Sequence, residues 1–254
     1  MKFGTREPVV MRLYSALVAS WALFLASVTH AQNCPALLEG ARRLVFVTFD
    51  SMTSSTATLR LFERTHAGDA WRLVHPPEPA VLGVNGAAWG PGFRHLAAPG
   101  DPMKTEGDNR TPAGIFAFGQ AFGFAPSPLA RYLQLKPDTV CVDDPTSGAY
   151  NTITSRKNVG KRVTVEYMHK GALYRRGLVV IYPTNAATRA GSCIFIHVWR
   201  SPTSGTAGCI ALPEVRVAAL QEFVVQRTAV LAVLPDDALD HLANCLPPAA
   251  GKPQ

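Results

Sequence analysis

The stretch that most constrains this chain runs from Gly191 to Pro213, GSCIFIHVWRSPTSGTAGCIALP. The apolar run from Cys193 to Val198 predicts a short buried strand carrying His197. Ser201, Pro202, Ser204 and Gly205 predict turns, and Thr206-Ala207-Gly208-Cys209 then leads into the apolar Ile210, Ala211 and Leu212. A histidine on a strand and a cysteine behind a glycine, twelve positions apart, can meet across the intervening loop. An imidazole beside a thiol takes its proton and stabilises the thiolate, the nucleophilic form. Buried cysteines are also common small hydrophobes, so the pair alone does not decide the chemistry. Gly208 adds weight, because a glycine lets backbone N–H groups approach a substrate carbonyl closely.

The rest of the chain sets the compartment. Lys2, Arg6 and Arg12 form a basic beginning, Leu13 to Val28 is apolar, and Thr29-His30-Ala31 has small residues at the outer positions of a cleavage site. Residues 1–31 therefore read as a signal peptide. The apolar run is shorter than the about 20 residues a spanning helix needs, so no membrane insertion is expected after cleavage. Cys34 lacks the flanking residues of a lipidation site. Export places the chain where cysteines pair, in the periplasm or cell envelope. Five cysteines, Cys34, Cys141, Cys193, Cys209 and Cys245, leave at least one unpaired. With Cys209 as nucleophile, we expect Cys34–Cys245 and Cys141–Cys193, although four cysteines permit three pairings and the sequence does not choose among them. No C-x-x-C pair points to a thioredoxin or zinc site.

The net charge is +7, and loss of residues 1–31 leaves +5. A mildly basic exported protein suits an anionic polymer such as a cell wall, a membrane surface, or no charged partner in particular. No dense basic patch with interleaved aromatics exists, so nucleic acid is not expected as a partner. The adjacent Asp143 and Asp144 point apart in extended backbone and lack a third ligand, so they read as a hydrogen-bonded loop and no metal is expected.

Twenty Gly and twenty Pro favour β structure with loops. Arg43 to Phe49 reads as the first strand. Thr58 to Arg64, with Ala57, Leu59 and Leu61 inward, pairs in a hairpin with Ala70 to His75, which the prolines at 76, 77 and 79 end. A short strand at Val81 to Gly83 and a loop over 84–113 follow, then strands at Gly114 to Gln120, Leu129 to Leu135, Arg162 to Met168 and Ala172 to Tyr182. One helix begins at Pro213, with Val215, Val217, Ala218, Leu220, Phe223 and Val224 as its apolar stripe, and Thr228 to Leu234 is the last strand. The fold class is mainly β: one domain with a single packed helix after Cys209.

His197 followed by Thr206-Ala207-Gly208-Cys209-Ile210 resembles the His…Ser/Thr-x-Gly-Cys signature of L,D-transpeptidase catalytic domains of the YkuD type. Leu82 to Gly90, Lys104 to Phe116 and Val142-Asp143-Asp144-Pro145 with Tyr150-Asn151 are similar to the longer-looped branch of that family. The likeness covers about Leu44 to Leu234. It implies an L,D-transpeptidase-like β-sandwich spanning residues 32–254, with no cofactor, acting on peptidoglycan stem peptides. It implies that Cys209 attacks the carbonyl between an L-centre and a D-residue to form a thioester. His197 is then base and acid, and backbone N–H groups near Gly208 and Cys209 hold the oxyanion. Thr206, in place of the commoner Ser, keeps the orienting hydroxyl.

Two positions depart from the family pattern: Val198 follows the histidine where Gly is common, and Ala211 stands where Arg is common. If the usual arginine grips a substrate carboxylate or shapes the cleft, either another cation does so here, with Arg200, Lys104 and Arg110 as candidates, or the substrate differs. Thr111-Pro112-Ala113-Gly114 reads as a turn that fixes the start of a strand, and Trp89 and Trp199 either line the cleft or pack. The expected activity is L,D-transpeptidation by a monomer in cell-wall biogenesis and cell shape. Hydrolysis by an L,D-peptidase or amidase on the same site is the alternative, and a non-catalytic wall-binding domain is a third reading.

Overall fold

Arg43–Phe49 (β1) and Ala229–Pro235 (β13) are buried along nearly their whole length and pair in parallel, Arg43 opposite Ala229 through Phe49 opposite Pro235. Continuous apolar runs of this kind suit strands covered on both faces. In this computed structural model, which describes residues 34–248 with Met1, Lys2 and Gly4, β1 and β13 form the middle of a large sheet. The expected signal peptide lies outside the described residues.

On the β1 side the sheet continues through Thr56–Glu63 (β2), Arg72–Val81 (β3), Ile210–Leu212 (β12), Phe195–Val198 (β11) and Arg176–Ile181 (β10). On the β13 side lies Thr111–Gly123 (β5), which also pairs antiparallel with β10 and so closes a ring of eight strands. Ala87–Trp89 (β4) and Leu133–Gln134 (β6) add to β5. Thr139–Val142 (β7), flanked by Ile153–Ser155 (β8) and Val165–Tyr167 (β9), makes a separate three-stranded sheet. The main core fills the ring around Phe46, Phe49, Trp89 and Ile196. A smaller cluster joins Phe122, Tyr174 and Phe195 to Cys141, Cys193 and Cys209. The mainly β, sandwich-like class is therefore as expected.

Several boundaries differ from the sequence expectation, each for a local reason. β3 runs unbroken through Pro76, Pro77 and Pro79. It meets β12 only at Val81, and Pro76 and Pro77 fall in the irregular register between Leu59 and Leu61 of β2, so no ladder hydrogen bond needs their missing N–H groups. The same irregularity shifts the alternation and buries Phe62 where Leu61 was expected. Residues 84–113 hold β4 and a 3-10 helix, Pro91–Leu96, and β5 starts three residues early, at Thr111. Only Leu133–Gln134 of the expected strand at 129–135 pairs. The expected strands at 162–168 and 172–182 shorten to β9 and β10, the second preceded by a 3-10 turn, Leu173–Arg175.

The helix after Cys209 is Glu214–Val225, and Ala36–Gly40 is a further five-residue helix (α2 and α1 respectively). α2 buries Val217, Leu220, Gln221 and Val224, whereas Val215 faces outward at 69% exposure. Gln221 is polar yet fully satisfied: its Nε2 donates to the carbonyls of Phe122 and Gly177, both at 2.8 Å. That bond pair fixes the helix across β5 and β10.

Both expected disulfides are present, Cys34–Cys245 and Cys141–Cys193, and Cys209 is the free cysteine. Cys34–Cys245 spans 211 residues and fastens the two ends of the unit, with Trp71 Nε1 donating to the Cys245 carbonyl. Replacing both residues by serine is expected to lower unfolding free energy by about 2–5 kcal/mol, read as a drop in the urea midpoint. An unchanged midpoint would show that the crosslink is dispensable.

Candidate active site

β11 and β12 run parallel, with His197 opposite Ala211. Strand side chains alternate with period two, so Cys209 lies on the same face as Ala211 and diagonal to His197. The methyl of Ala211 between them leaves that space open. The loop joining the two strands is held by residues far away in sequence. Thr206 exchanges backbone hydrogen bonds with the 82–84 segment, its N donating to Leu82 O at 2.9 Å and its O accepting from Val84 N at 2.8 Å. Gly205 lies so close to Val84 that a Cβ there would meet backbone at 2.5 Å.

The carbonyl oxygen of Cys209 accepts two hydroxyls, Thr206 Oγ1 at 2.6 Å and Thr111 Oγ1 at 3.2 Å. Thr111 Oγ1 in turn accepts from Gly83 N, and Thr206 Oγ1 from Gly208 N. Gly208 adopts φ +141°, a conformation L side chains rarely take. Its N–H is thus engaged by Thr206, and its contribution is the turn that presents Cys209. The Thr-Pro-Ala-Gly segment braces the nucleophile loop through Thr111, where a turn was expected.

Cys209, His197, Thr206, Gly208, Ala211 and Arg200 line a cleft of about 530 Å³. Its other wall carries Glu106, Asp143, Glu166 and Tyr174. Cys209 and His197 are both buried. His197 Nδ1 lies 2.8 Å from the Val198 carbonyl, which can only accept, so Nδ1 bears the proton and Nε2 is the acceptor of the neutral ring. Burial lowers the His197 pKa to about 4, against the raising effect of the Val198 bond, and Arg200 lowers it further. Burial pushes the Cys209 thiol up and Glu166 adds to this, while the Phe195 backbone, Lys104 and the Tyr174 hydroxyl pull it down. The resting pair is accordingly neutral, with the Cys209 thiol 3.4 Å from the Cys193 carbonyl.

Of the three cations expected near substrate, only Arg200 lines the cleft. Lys104 is buried and ion-paired with Asp108 at 2.6 Å, and Arg110 donates to the carbonyls of Met52 and Ala87. Trp89 lies in the core, its Nε1 donating to Asp101, and Trp199 is likewise outside the cleft lining. Asp144 accepts from Thr146, in keeping with a hydrogen-bonded loop, whereas Asp143 reaches the cleft wall. Asn151 Oδ1 accepts from Cys193 N, and Ser192 and Tyr150 both donate to Glu106, which ties the small-sheet side to the segment ahead of His197. Tyr174 and Glu166 carried no motif or spacing that marked them, and Glu106, inside the family-like stretch from Lys104 to Phe116, was not singled out as a site residue. Glu166 sits mid-strand in β9 and Tyr174 in a 3-10 turn, and only the fold brings them to Cys209.

The model of the YkuD L,D-transpeptidase catalytic domain matches residues 78–231, from the end of β3 to β13. The chain belongs to this family. The match contains every residue of the β11–β12 loop and its braces from Leu82 onward. Solved structures similar to this L,D-transpeptidase-family chain include the helical cell shape determining protein Pgp2 from Campylobacter jejuni. That structure has 16% identity and a TM-score of 0.41, over 78% of this chain and 49% of that one. A lysine-to-alanine mutant of Pgp2 gives the same identity and TM-score over 48% of its length. The chain spans about half the length of that protein. No curated protein matches it.

Because the folded pKa of His197, about 4, lies below the ordinary 6.5, the unfolded chain binds the extra proton between these values. Stability therefore rises with pH through that window and is lost as pH falls from about 6.5 towards 4, on the order of 3 kcal/mol in all. His197→Gln is expected to remove this part of the acid-side loss, measured as the difference in urea midpoints at about pH 7 and pH 4.5. An equal drop in wild type and variant would contradict it.

Proposed function

We propose that this protein is an exported cysteine acyltransferase that acts on peptidoglycan stem peptides, with residues 32–254 as the mature catalytic domain. The observation that carries this reading is that Cys209, the cysteine left free by two disulfides, shares one cleft with His197 in a chain of the L,D-transpeptidase family. Disulfides persist in oxidising compartments, which supports the periplasm or cell envelope as its location.

In this scheme His197 Nε2 takes the thiol proton and the sulfur attacks the carbonyl between the L-centre and the D-residue. The backbone N–H of Cys209 faces the oxyanion, since that of Gly208 is engaged by Thr206. A well-placed oxyanion donor contributes about 3–4 kcal/mol. The tetrahedral intermediate collapses to a thioester as the imidazolium returns its proton to the leaving amine. An acceptor amine then takes the acyl group, and the chemistry requires no metal or organic cofactor. Arg200 lines the cleft, which supports assigning it to meet a peptide carboxylate in a family member with Ala211.

The test is product analysis by mass after incubating the mature protein, and Cys209→Ala, with defined tetrapeptide muropeptides. Crosslinked dimers formed by wild type alone are the expected result. Shortened monomers would reassign the enzyme to hydrolysis by the same nucleophile. Unchanged substrate with both proteins across several stem peptides would overturn the enzymatic reading.

A further inference from the structure

Tyr174 and Glu166 stand against Cys209 without a part in the scheme above. Tyr174 is almost fully buried, in the cluster that also holds Phe122, Phe195, Cys193 and Cys209. Its ring meets His197 edge-on, 5.2 Å between centroids, and Phe195 at 5.7 Å. Its hydroxyl donates to Glu166 Oε1, its ring packs in the cluster that holds Cys209, and the hydroxyl acts to lower the Cys209 thiol pKa. One hydroxyl thus joins a carboxylate in the cleft of the proposed nucleophile, on a ring packed against the proposed base.

The placement of this hydroxyl is built in from several directions. The 3-10 turn that carries Tyr174 is fastened to α2, with Arg175 Nε 2.7 Å from Glu214 Oε2. Glu166 lies in β9, opposite Cys141 of β7, and Cys141 is bonded to Cys193, whose carbonyl faces the Cys209 thiol. The disulfide therefore ties the strand bearing Glu166 to the wall beside the sulfur. A buried tyrosine needs a hydrogen-bond partner, and Glu166 meets that need in the resting site.

We propose that the Tyr174 hydroxyl is a catalytic hydrogen-bond donor to the Cys209 thiolate, and that Glu166 is the positioning residue that holds this hydroxyl in the resting site. In the resting site the thiol is protonated and the tyrosine donates to Glu166. When His197 takes the proton from the thiol, the electron pair stays on sulfur, which becomes the stronger acceptor. Rotation about the tyrosine C–O bond then turns its hydrogen from Glu166 to sulfur, and no proton leaves the tyrosine. Hydrogen bonds to a charged acceptor are about twice as strong as neutral ones, so the thiolate gains most from this donor. Burial raises the Glu166 pKa; once ionised, the carboxylate opposes the thiolate by like charge and by competing for the same hydrogen. The other ionisable groups around the sulfur are His197, Lys104 and, along the cleft wall, Asp143, Glu106 and Arg200.

The inference rests on Cys209 being the nucleophile and is independent of which peptide it attacks, so its test uses no peptide. The rate of Cys209 alkylation by iodoacetamide, followed from about pH 6 to 10 on the native disulfide-bonded protein, reads thiolate formation directly. Tyr174→Phe, which removes one oxygen, is expected to slow alkylation about tenfold at neutral pH and move its midpoint upward. Glu166→Gln keeps an acceptor for the hydroxyl but loses the charge, and is expected to speed alkylation several-fold. This gain should shrink in the double variant. Opposite signs from two neighbouring changes are not what loosened packing produces. Unchanged or faster alkylation in Tyr174→Phe, or slower alkylation in Glu166→Gln, would overturn the proposal. The expected alkylation pattern in a protein that leaves every muropeptide untouched would support it while the substrate reading failed.

Discussion

The carbonyl oxygen of Cys209 is where the organisation of this molecule converges. Two threonine hydroxyls reach it, one from the loop that carries the cysteine and one from the first residue of β5. β5 is in turn the strand that closes the ring against β10 and pairs with β13. The position of the thiol is thereby referred to the most buried part of the fold. Buried hydroxyl-to-carbonyl bonds each contribute only about 1 kcal/mol net to stability, but leaving such a carbonyl unsatisfied costs more than that. The constraint is therefore geometric before it is energetic.

Burial then shapes the chemistry. Cys209 and His197 are held neutral by the cost of placing charge away from water, which lowers the imidazole pKa and raises that of the thiol. Such a pair is unreactive until something offsets the charge created by proton transfer. The Tyr174 hydroxyl and the approach of a substrate carbonyl are the two elements proposed to do this. A resting thiol that stays protonated is also protected from oxidation in an oxidising compartment.

Much of this was legible in the sequence. The continuous apolar runs of β1 and β13, the strand of His197 and the helix after Cys209 follow from local pattern, and cysteine arithmetic leaves one free thiol, whereas the pairing found is one of three that the sequence leaves open. The errors share a cause, because they arise where tertiary contacts overrule local rules. Prolines lie inside β3 since that strand has an open edge, Phe62 turns inward at an irregular register, and Gln221 is buried because two carbonyls await it. At the site, charge alone nominated Lys104 and Arg110, but both serve as internal braces. Tyr174 and Glu166 were invisible, because a lone tyrosine and a mid-strand glutamate carry no periodic signal.

The central claim is that Cys209 is acylated. Rapid acid quenching of the mature protein during reaction with a tetrapeptide muropeptide, followed by peptide mapping by mass, tests it most directly. The account predicts a transient acyl adduct, labile to hydroxylamine, on the peptide containing Cys209 and absent from Cys209→Ala. Turnover with no adduct at any time, or an adduct carried by another residue, would contradict it.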